Sequence, residues 1–150
     1  MRAVIQRVSK SSVKVNGEIL GQTALGLLVL LGIEGHDNDE DVGWMARKIT
    51  GLRIFSDSDE KMNLNIKQVG GGLLVISQFT LHASTKKGTR PSFVKAARPE
   101  KAIPLYERLI KECENILGKE VASGKFGAMM EVELTNDGPV TIVIDSKNKE

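Results

Sequence analysis

Two uninterrupted apolar runs constrain the fold of this 150-residue chain more than any other feature. The first extends from Gly26 to Ile33, and the second, Leu73 to Ile76, follows the triplet Gly70-Gly71-Gly72. Runs without polar alternation are typical of central strands that are buried on both faces. A sheet that contains two such strands needs cover on each side.

Two amphipathic segments are predicted to supply that cover. The first helix should begin in the acidic stretch Asp37–Asp41, which provides a cap and favourable charges, and should end near Gly51. The second should open at Pro99-Glu100 and end before Gly118, with Pro104 in its first turns. The apolar positions of both recur at helical spacing: Val42, Met45, Ala46 and Ile49 in the first, and Tyr106, Leu109, Ile110, Cys113 and Ile116 or Leu117 in the second.

The remaining segments favour strands. Residues 3–8 and 11–15 alternate between apolar and polar, and Asn16-Gly17 predicts a hairpin to a strand over 18–23. A short strand is expected over 52–55, a strand or extended loop over 61–66, and a frayed tail over 147–150. The order predicts a single α/β domain over 1–150, with a mixed, curved, barrel-like sheet covered by two main helices.

Composition and charge limit how the protein could bind nucleic acid and which cellular compartment we expect for it. The formal charge of +2 is too small for wholesale coating of nucleic acid, so any RNA contact must come from a local patch. The single cysteine, Cys113, excludes an internal disulfide and suits a reducing compartment. We find neither a charged-then-apolar leader nor a membrane span and expect a cytoplasmic protein.

The stretch Asn136–Thr141 has an unusual turn sequence. It joins two alternating runs, 130–135 and 140–144, so the local pattern predicts a closing hairpin with Asp137-Gly138 at its tip. Pro139 removes a ladder donor, and its bond to Gly138 belongs to the class in which a cis peptide costs least. A cis bond would point two successive carbonyl oxygens the same way. The alternative is an ordinary turn with a tolerated edge proline.

The usual catalytic sets are missing. His36, His82 and Cys113 share no metal-ligand spacing, so we expect no metal and no cofactor, and Cys113 fits a core position. Polar groups collect instead at Ser77-Gln78-Phe79-Thr80-Leu81, where a buried strand ends and main-chain N–H groups could hold an oxyanion. The alternative is that Ser77 and Thr80 merely bond their own backbone.

Positive residues form two further candidates. The polar segment from His82 to Arg98 is predicted to be a surface loop, either a solvated face or a phosphate grip, and its cations are Lys86, Lys87, Arg90, Lys95 and Arg98. Arg7 lies in an otherwise apolar alternation and needs a partner or an exit to solvent.

Several of these motifs together resemble the D-aminoacyl-tRNA deacylase family. The likeness covers nearly the whole chain in one order, and its segments are Met1–Val8, Lys61–Leu64, Ser77–Leu81, Arg90–Phe93, Phe126–Met130 and Asn136–Thr141. The resemblance implies a homodimer with active sites at the subunit interface and a substrate that is tRNA carrying a D-amino acid or glycine. Ser77, Gln78, Phe79 and Thr80 would line the pocket around the ester, with Phe126 and Met130 nearby. A cis Gly138-Pro139, supported by Arg7, would reach into the partner's pocket.

Two mechanisms and two rival functions stay open at this point. Thr80 could be a nucleophile, although no base is visible to activate it. Alternatively, the N–H groups of Phe79 and Thr80 polarise the ester while the 2′-hydroxyl of the terminal ribose helps activate water, which we favour. The rival functions are a non-catalytic tRNA-binding module and a hydrolase of small D-amino-acid esters.

Overall fold

The computed structural model describes residues 1–150 as eight strands, two α-helices and one 3₁₀ helix. In chain order the elements are β1 (Arg2–Val15), β2 (Glu18–Thr23), β3 (Gly26–Gly32), α1 (Asp39–Gly51), β4 (Phe55–Ser56), β5 (Met62–Leu64), β6 (Gly72–Ser77), the 3₁₀ helix (Phe79–His82), α2 (Pro99–Leu117), β7 (Ala122–Ser123) and β8 (Glu131–Asp145). Neither α-helix has the length and apolar character needed to cross a membrane.

Strand β1 organises the main sheet because it pairs along both edges. One edge pairs with β8, and the other pairs first with β3 and then with β2, all antiparallel. Strands β6 and β7 extend the sheet in parallel from β3. Gly21 of β2 packs on Ser123 of β7, where a Cβ would come 2.7 Å from the Ser123 carbonyl oxygen. The outer strands therefore nearly meet, which confirms the predicted mixed, barrel-like sheet.

The sheet is covered on both faces, as the two apolar runs require. One face packs against α1 and α2 in a core of 24 buried residues. The opposite face encloses a smaller cluster of five buried side chains, Val8, Val13, Leu28, Leu74 and Ile76. Strands β3 and β6 contribute to both clusters, so the central strands were predicted correctly.

Both helices begin and end where the sequence predicts. The Asn38 side chain accepts hydrogen bonds from the N–H groups of Glu40 and Asp41, and the Asp41 carboxylate accepts one from the Asn38 N–H at 2.9 Å. This reciprocal capping box satisfies donors that a helix start leaves unpaired. Helix α2 runs unbroken through Pro104 and ends at Gly118, which adopts a left-handed conformation with φ of 72°.

The predicted closing hairpin is wrong. Both of its runs belong to β8 and pair with β1 rather than with each other. Val8 faces Asn136 and Gln6 faces Thr141, so four residues of β8 oppose only Arg7 and three of them bulge from the ladder. The turn sequence does not form a hairpin, because β1 is long enough to pair with both runs in the sheet.

Two smaller predictions also change, and one short strand was not predicted. Residues 3–8 and 11–15 belong to one continuous strand, β1. The strand expected over 52–55 is only Phe55–Ser56, which pairs with Met62–Leu64. Strand β7 was not predicted, since two residues are too short to show a period.

The tail over 147–150 is attached rather than frayed. Lys147 donates from Nζ to the Asp41 carboxylate at 2.7 Å, and the Lys149 ammonium lies 5.2 Å from the ring centroid of Trp44. Burial disfavours ionisation of Asp41, but hydrogen bonds from Lys147, Ser146 and the Asn38 N–H outweigh it, so the pKa of Asp41 falls to about 2. The tail is thereby fixed to the start of α1.

Replacing Asp41 with Asn should lower the free energy of unfolding at pH 7 by about 2 kcal/mol. Because the folded protein holds this carboxyl ionised, the unfolded chain binds more protons as pH falls from about 4 to about 2, and stability declines over that window. Urea unfolding between pH 2 and 7 should show a shallower acid decline for Asp41→Asn. Glu40→Gln removes the same charge from an exposed position in the same turn and is the control. If the two variants showed the same dependence of stability on pH, the acid decline would not come from Asp41.

Candidate active site

A cavity of about 320 Å³ lies at the carboxyl ends of β3 and β6, next to the start of α2. Five of the nine predicted site residues line it: Ser77, Gln78, Phe79, Phe126 and Met130. The remaining lining residues are Leu31, Ile33, Ile76, Ala97, Ala102, Gly127, Ala128, Met129 and Val132. The structure thus brings together two motifs that lie almost 50 residues apart in sequence.

The sheet itself positions the first motif. Ser77 pairs with Leu31 in the parallel ladder, and the Gln78 N–H donates to the Leu31 carbonyl oxygen at 2.7 Å. The chain then turns into the 3₁₀ helix, whose Leu81 carbonyl accepts a hydrogen bond from Arg2 Nη1 at 2.7 Å. Arg2 is in turn held by Asp145 at 3.0 Å. Both ends of the turn are therefore anchored to strands.

Phe79 and Thr80 open the 3₁₀ helix, so their N–H groups have no acceptor within it. No side chain caps this end. Such main-chain donors are suited to an oxygen that gains negative charge during ester cleavage. Thr80 is exposed, and its hydroxyl accepts a hydrogen bond from the Gln78 side-chain amide at 2.5 Å. An amide cannot take up the proton of threonine, so Thr80 lacks a base among its partners.

No side chain that lines the cavity is ionisable. Behind Phe126, whose ring centroid lies 5.9 Å from that of Tyr106, the Tyr106 hydroxyl donates to the Val75 carbonyl oxygen at 2.8 Å. Burial raises the pKa of Tyr106 to about 12 and that of Cys113 to about 12. Both groups stay neutral near pH 7, which agrees with the core position predicted for Cys113.

Four predicted residues do not line the cavity of their own chain: Thr80, Arg7, Gly138 and Pro139. Arg7 pairs with Leu27, four residues along β3 from Leu31, which corresponds to roughly 13 Å. Gly138 and Pro139 lie in the bulge on the far side of β1, where they are exposed and joined by a cis peptide bond. Within one chain, the two main motifs are therefore separate.

Hydrogen bonds fix the bulge around Gly138 and Pro139. Arg7 donates from Nε to the Asp137 carbonyl oxygen at 2.8 Å and from Nη1 to the Ile54 carbonyl oxygen at 2.6 Å. The Asn136 side chain accepts from the Val140 N–H at 2.8 Å and donates to the Val140 carbonyl oxygen at 3.1 Å. The carbonyl oxygens of Asp137 and Ile54 are the partners expected for the charged Arg7 side chain in an otherwise apolar strand.

Several cavity residues gave no functional signal in the sequence. Ala97 and Ala102 flank the start of α2, and Leu31 and Ile33 end a central strand, so each reads as an ordinary core residue. Phe93 is different, because its ring packs edge-on against Phe79 with centroids 5.1 Å apart. It lies in one of the segments that carry the family resemblance, and that segment was the available signal.

A family model described as D-Tyr-tRNA(Tyr) deacylase matches residues 4–145. The chain belongs to this family. Its relatives include D-aminoacyl-tRNA deacylases of Christiangramia forsetii, 59% identical over 99% of both chains, and of Akkermansia muciniphila, 59% identical over the whole of both. The resemblance drawn from the sequence is confirmed, and with it the assignment to a family of ester hydrolases.

Solved structures agree with the fold. A c-Myc DNA unwinding element binding protein has a TM-score of 0.91 at 37% identity, and the match covers 97% of this chain and 98% of that one. A probable eukaryotic D-amino acid tRNA deacylase has a TM-score of 0.80 at 16% identity, over 95% and 97% of the two chains. The second likeness bears on the fold alone.

Replacing Asn136 with Ala should destabilise this deacylase-family protein by about 1–3 kcal/mol, because the partly buried N–H and carbonyl of Val140 lose their partner. Denaturant unfolding of Asn136→Ala measures the loss. Thr135→Ala, at the exposed neighbouring position, is the control and should stay within about 0.5 kcal/mol of the parent. If both variants unfold at the parent's midpoint, the Asn136 side chain does not hold the bulge.

Proposed function

We propose that the protein hydrolyses the ester bond between tRNA and a D-amino acid, or a wrongly attached glycine, and rejects L-aminoacyl-tRNA. The observation that carries this proposal is the cavity lined by Ser77, Gln78 and Phe79. The uncapped start of the 3₁₀ helix lies beside it, and no ionisable side chain lines it, in a chain of this family. An ester is reactive enough to be hydrolysed when electrostatic stabilisation of the oxyanion is the only catalytic contribution. Proofreading of mischarged tRNA is the corresponding role, and we place it in the cytoplasm.

For the chemical step, the N–H groups of Phe79 and Thr80 stabilise the developing oxyanion. Loss of a single donor of this kind costs about 10²–10³ in kcat, so two donors carry a large part of the barrier reduction. The 2′-hydroxyl of the terminal ribose lies next to the ester in the substrate and helps activate water. The substrate thus supplies the polar group that the cavity wall lacks.

For chirality, we propose a homodimer in which the carbonyl oxygens of Gly138 and Pro139 enter the partner's cavity. They accept hydrogen bonds from the α-ammonium of the substrate and leave no room where an L side chain would point. Glycine has no side chain and passes the filter. The exposed bulge outside its own cavity supports this arrangement. So do the apolar side chains of Phe79 and Met129 at the cavity, which are 55% and 93% exposed.

The predicted surface loop begins one residue later than expected, because His82 ends the 3₁₀ helix and is buried. This loop, residues 83–98, is the proposed grip on the terminal nucleotides of tRNA. The loop lies beside the cavity, as two contacts show: Phe93 packs on Phe79, and Ala97 lines the cavity wall. All five of its cations are exposed: Lys86, Lys87, Arg90, Lys95 and Arg98. These cations would bind phosphate groups at the edge of the site, while the amino acid enters the cavity.

The direct test compares release of tyrosine from D-Tyr-tRNA and L-Tyr-tRNA under matched conditions. We expect hydrolysis of the D form only, with a difference of at least about 10²-fold, because steric exclusion penalises the wrong enantiomer without requiring extra contacts to the right one. Equal rates would overturn the chiral filter. Salt-dependent binding of tRNA without release of either amino acid would instead favour a non-catalytic tRNA-binding module.

The mechanism is tested by Thr80→Ala and by a substrate with a 2′-deoxy terminal adenosine. We expect the variant to keep its rate within about tenfold, since loss of a true nucleophile has cost on the order of 10⁶-fold in kcat in a serine protease. The 2′-deoxy substrate should be hydrolysed far more slowly in single-turnover assays. A folded but inactive Thr80→Ala would restore the nucleophile mechanism. An unchanged 2′-deoxy rate would fit a hydrolase of small D-amino-acid esters.

A further inference from the structure

A second concave surface lies at the C-terminal half of α1, away from the cavity already described. It encloses about 400 Å³ and is lined by Trp44, Arg47, Lys48, Gly51, Leu52 and Arg53. We call this surface the basic patch. The Lys149 ammonium lies 5.2 Å from the Trp44 ring and adds a fourth cation.

The cations of the basic patch have no carboxylate partners. None of the ion pairs in the structure includes Arg47, Lys48, Arg53 or Lys149. Arg53 is held by the main chain and side chain of Asn63, which are neutral. The nearest acids of α1 lie in its first turn, roughly 10 Å along the helix from Arg47. In a chain with a net charge of only +2, four unpaired cations around one concavity form a local positive field.

The basic patch adjoins the bulge that carries Gly138 and Pro139. Arg53 immediately precedes Ile54, whose carbonyl oxygen accepts the hydrogen bond from Arg7, and Arg7 also holds the Asp137 carbonyl oxygen. The present inference rests on the proposed function, in which this bulge enters the partner's cavity. The basic patch of one protomer would then lie beside the tRNA whose terminal adenosine occupies the other protomer.

We propose that the basic patch binds the phosphodiester backbone of the double-stranded part of that tRNA. Arg47 and Lys48 are exposed and free to meet phosphates, and guanidinium groups bind phosphate oxygens in a bidentate manner. The ammonium groups of Lys48 and Lys149 lie 5.7 Å and 5.2 Å from the Trp44 ring centroid, so Trp44 orients cations rather than stacking on an unpaired base. One tRNA would therefore contact both protomers.

The kinetic test uses Arg47→Gln/Lys48→Gln, since glutamine keeps a good helix propensity. For D-Tyr-tRNA we expect KM to rise about tenfold at low salt with kcat unchanged, and the dependence of log KM on log salt to weaken by about 1–2 in slope. Hydrolysis of D-Tyr-adenosine, which lacks the tRNA body, should not change. Lys111→Gln/Lys119→Gln removes the same charge from exposed positions in the C-terminal half of α2 and just after it, and should leave KM at the parent value.

Trp44 allows binding to be followed without turnover, because it is the sole tryptophan of the chain. Uncharged tRNA should change the Trp44 emission of the parent protein, and Arg47→Gln/Lys48→Gln should shift the midpoint to about tenfold higher tRNA concentration. An equal change in KM for the patch and control variants, or a Trp44 emission that saturating tRNA leaves unaltered, would overturn the proposal. If the parent released neither enantiomer of tyrosine, the proposed function would fail, while the Trp44 titration would still decide whether tRNA binds the patch.

Discussion

The pairing of β1 along both of its edges is the constraint on which the rest of the structure depends. On one edge, its first half aligns β3, and β3 in turn sets the level at which β6 ends and Ser77 begins the turn into the 3₁₀ helix. On the other edge, β8 follows β1 from end to end except at the bulge opposite Arg7 and at a smaller register shift between Val8 and Lys10. Cavity and bulge are therefore placed by one strand, on opposite sides of it.

This arrangement supplies what the proposed mechanism uses in place of an ordinary catalytic side chain. A parallel strand that ends in a tight helical turn leaves main-chain N–H groups unpaired at a fixed place, and their position is determined by the backbone rather than by rotamers. The Gln78 N–H and the Leu81 carbonyl are tied to β3 and to Arg2, so the donors between them are held rigidly. Preorganised donors of this kind cost little reorganisation when charge develops.

The central strands, both helices and the group of polar residues at the end of β6 could be predicted from the sequence, because each leaves a local signal. Gly26–Ile33 is apolar throughout, Asn38 and Asp41 form a capping box, and Ser77–Leu81 breaks the alternation. The hairpin at Asp137-Gly138 failed because the choice of partner for β8 is a long-range property that no local pattern records. Ala97 and Ala102 went unnoticed for the same reason, since small residues become a cavity wall only when α2 docks.

Separation of the bulge from the cavity within one chain has a consequence for selectivity. If the filter is contributed by a second copy, the donors that stabilise the oxyanion and the oxygens that sense handedness belong to different backbones, each held by its own hydrogen bonds. Arg7 and Asn136 can then set the filter without altering the geometry at Phe79 and Thr80. Under that proposal, discrimination would arise from an incompatible side-chain position, and its penalty would depend on the rigidity of the bulge rather than on the strength of catalysis.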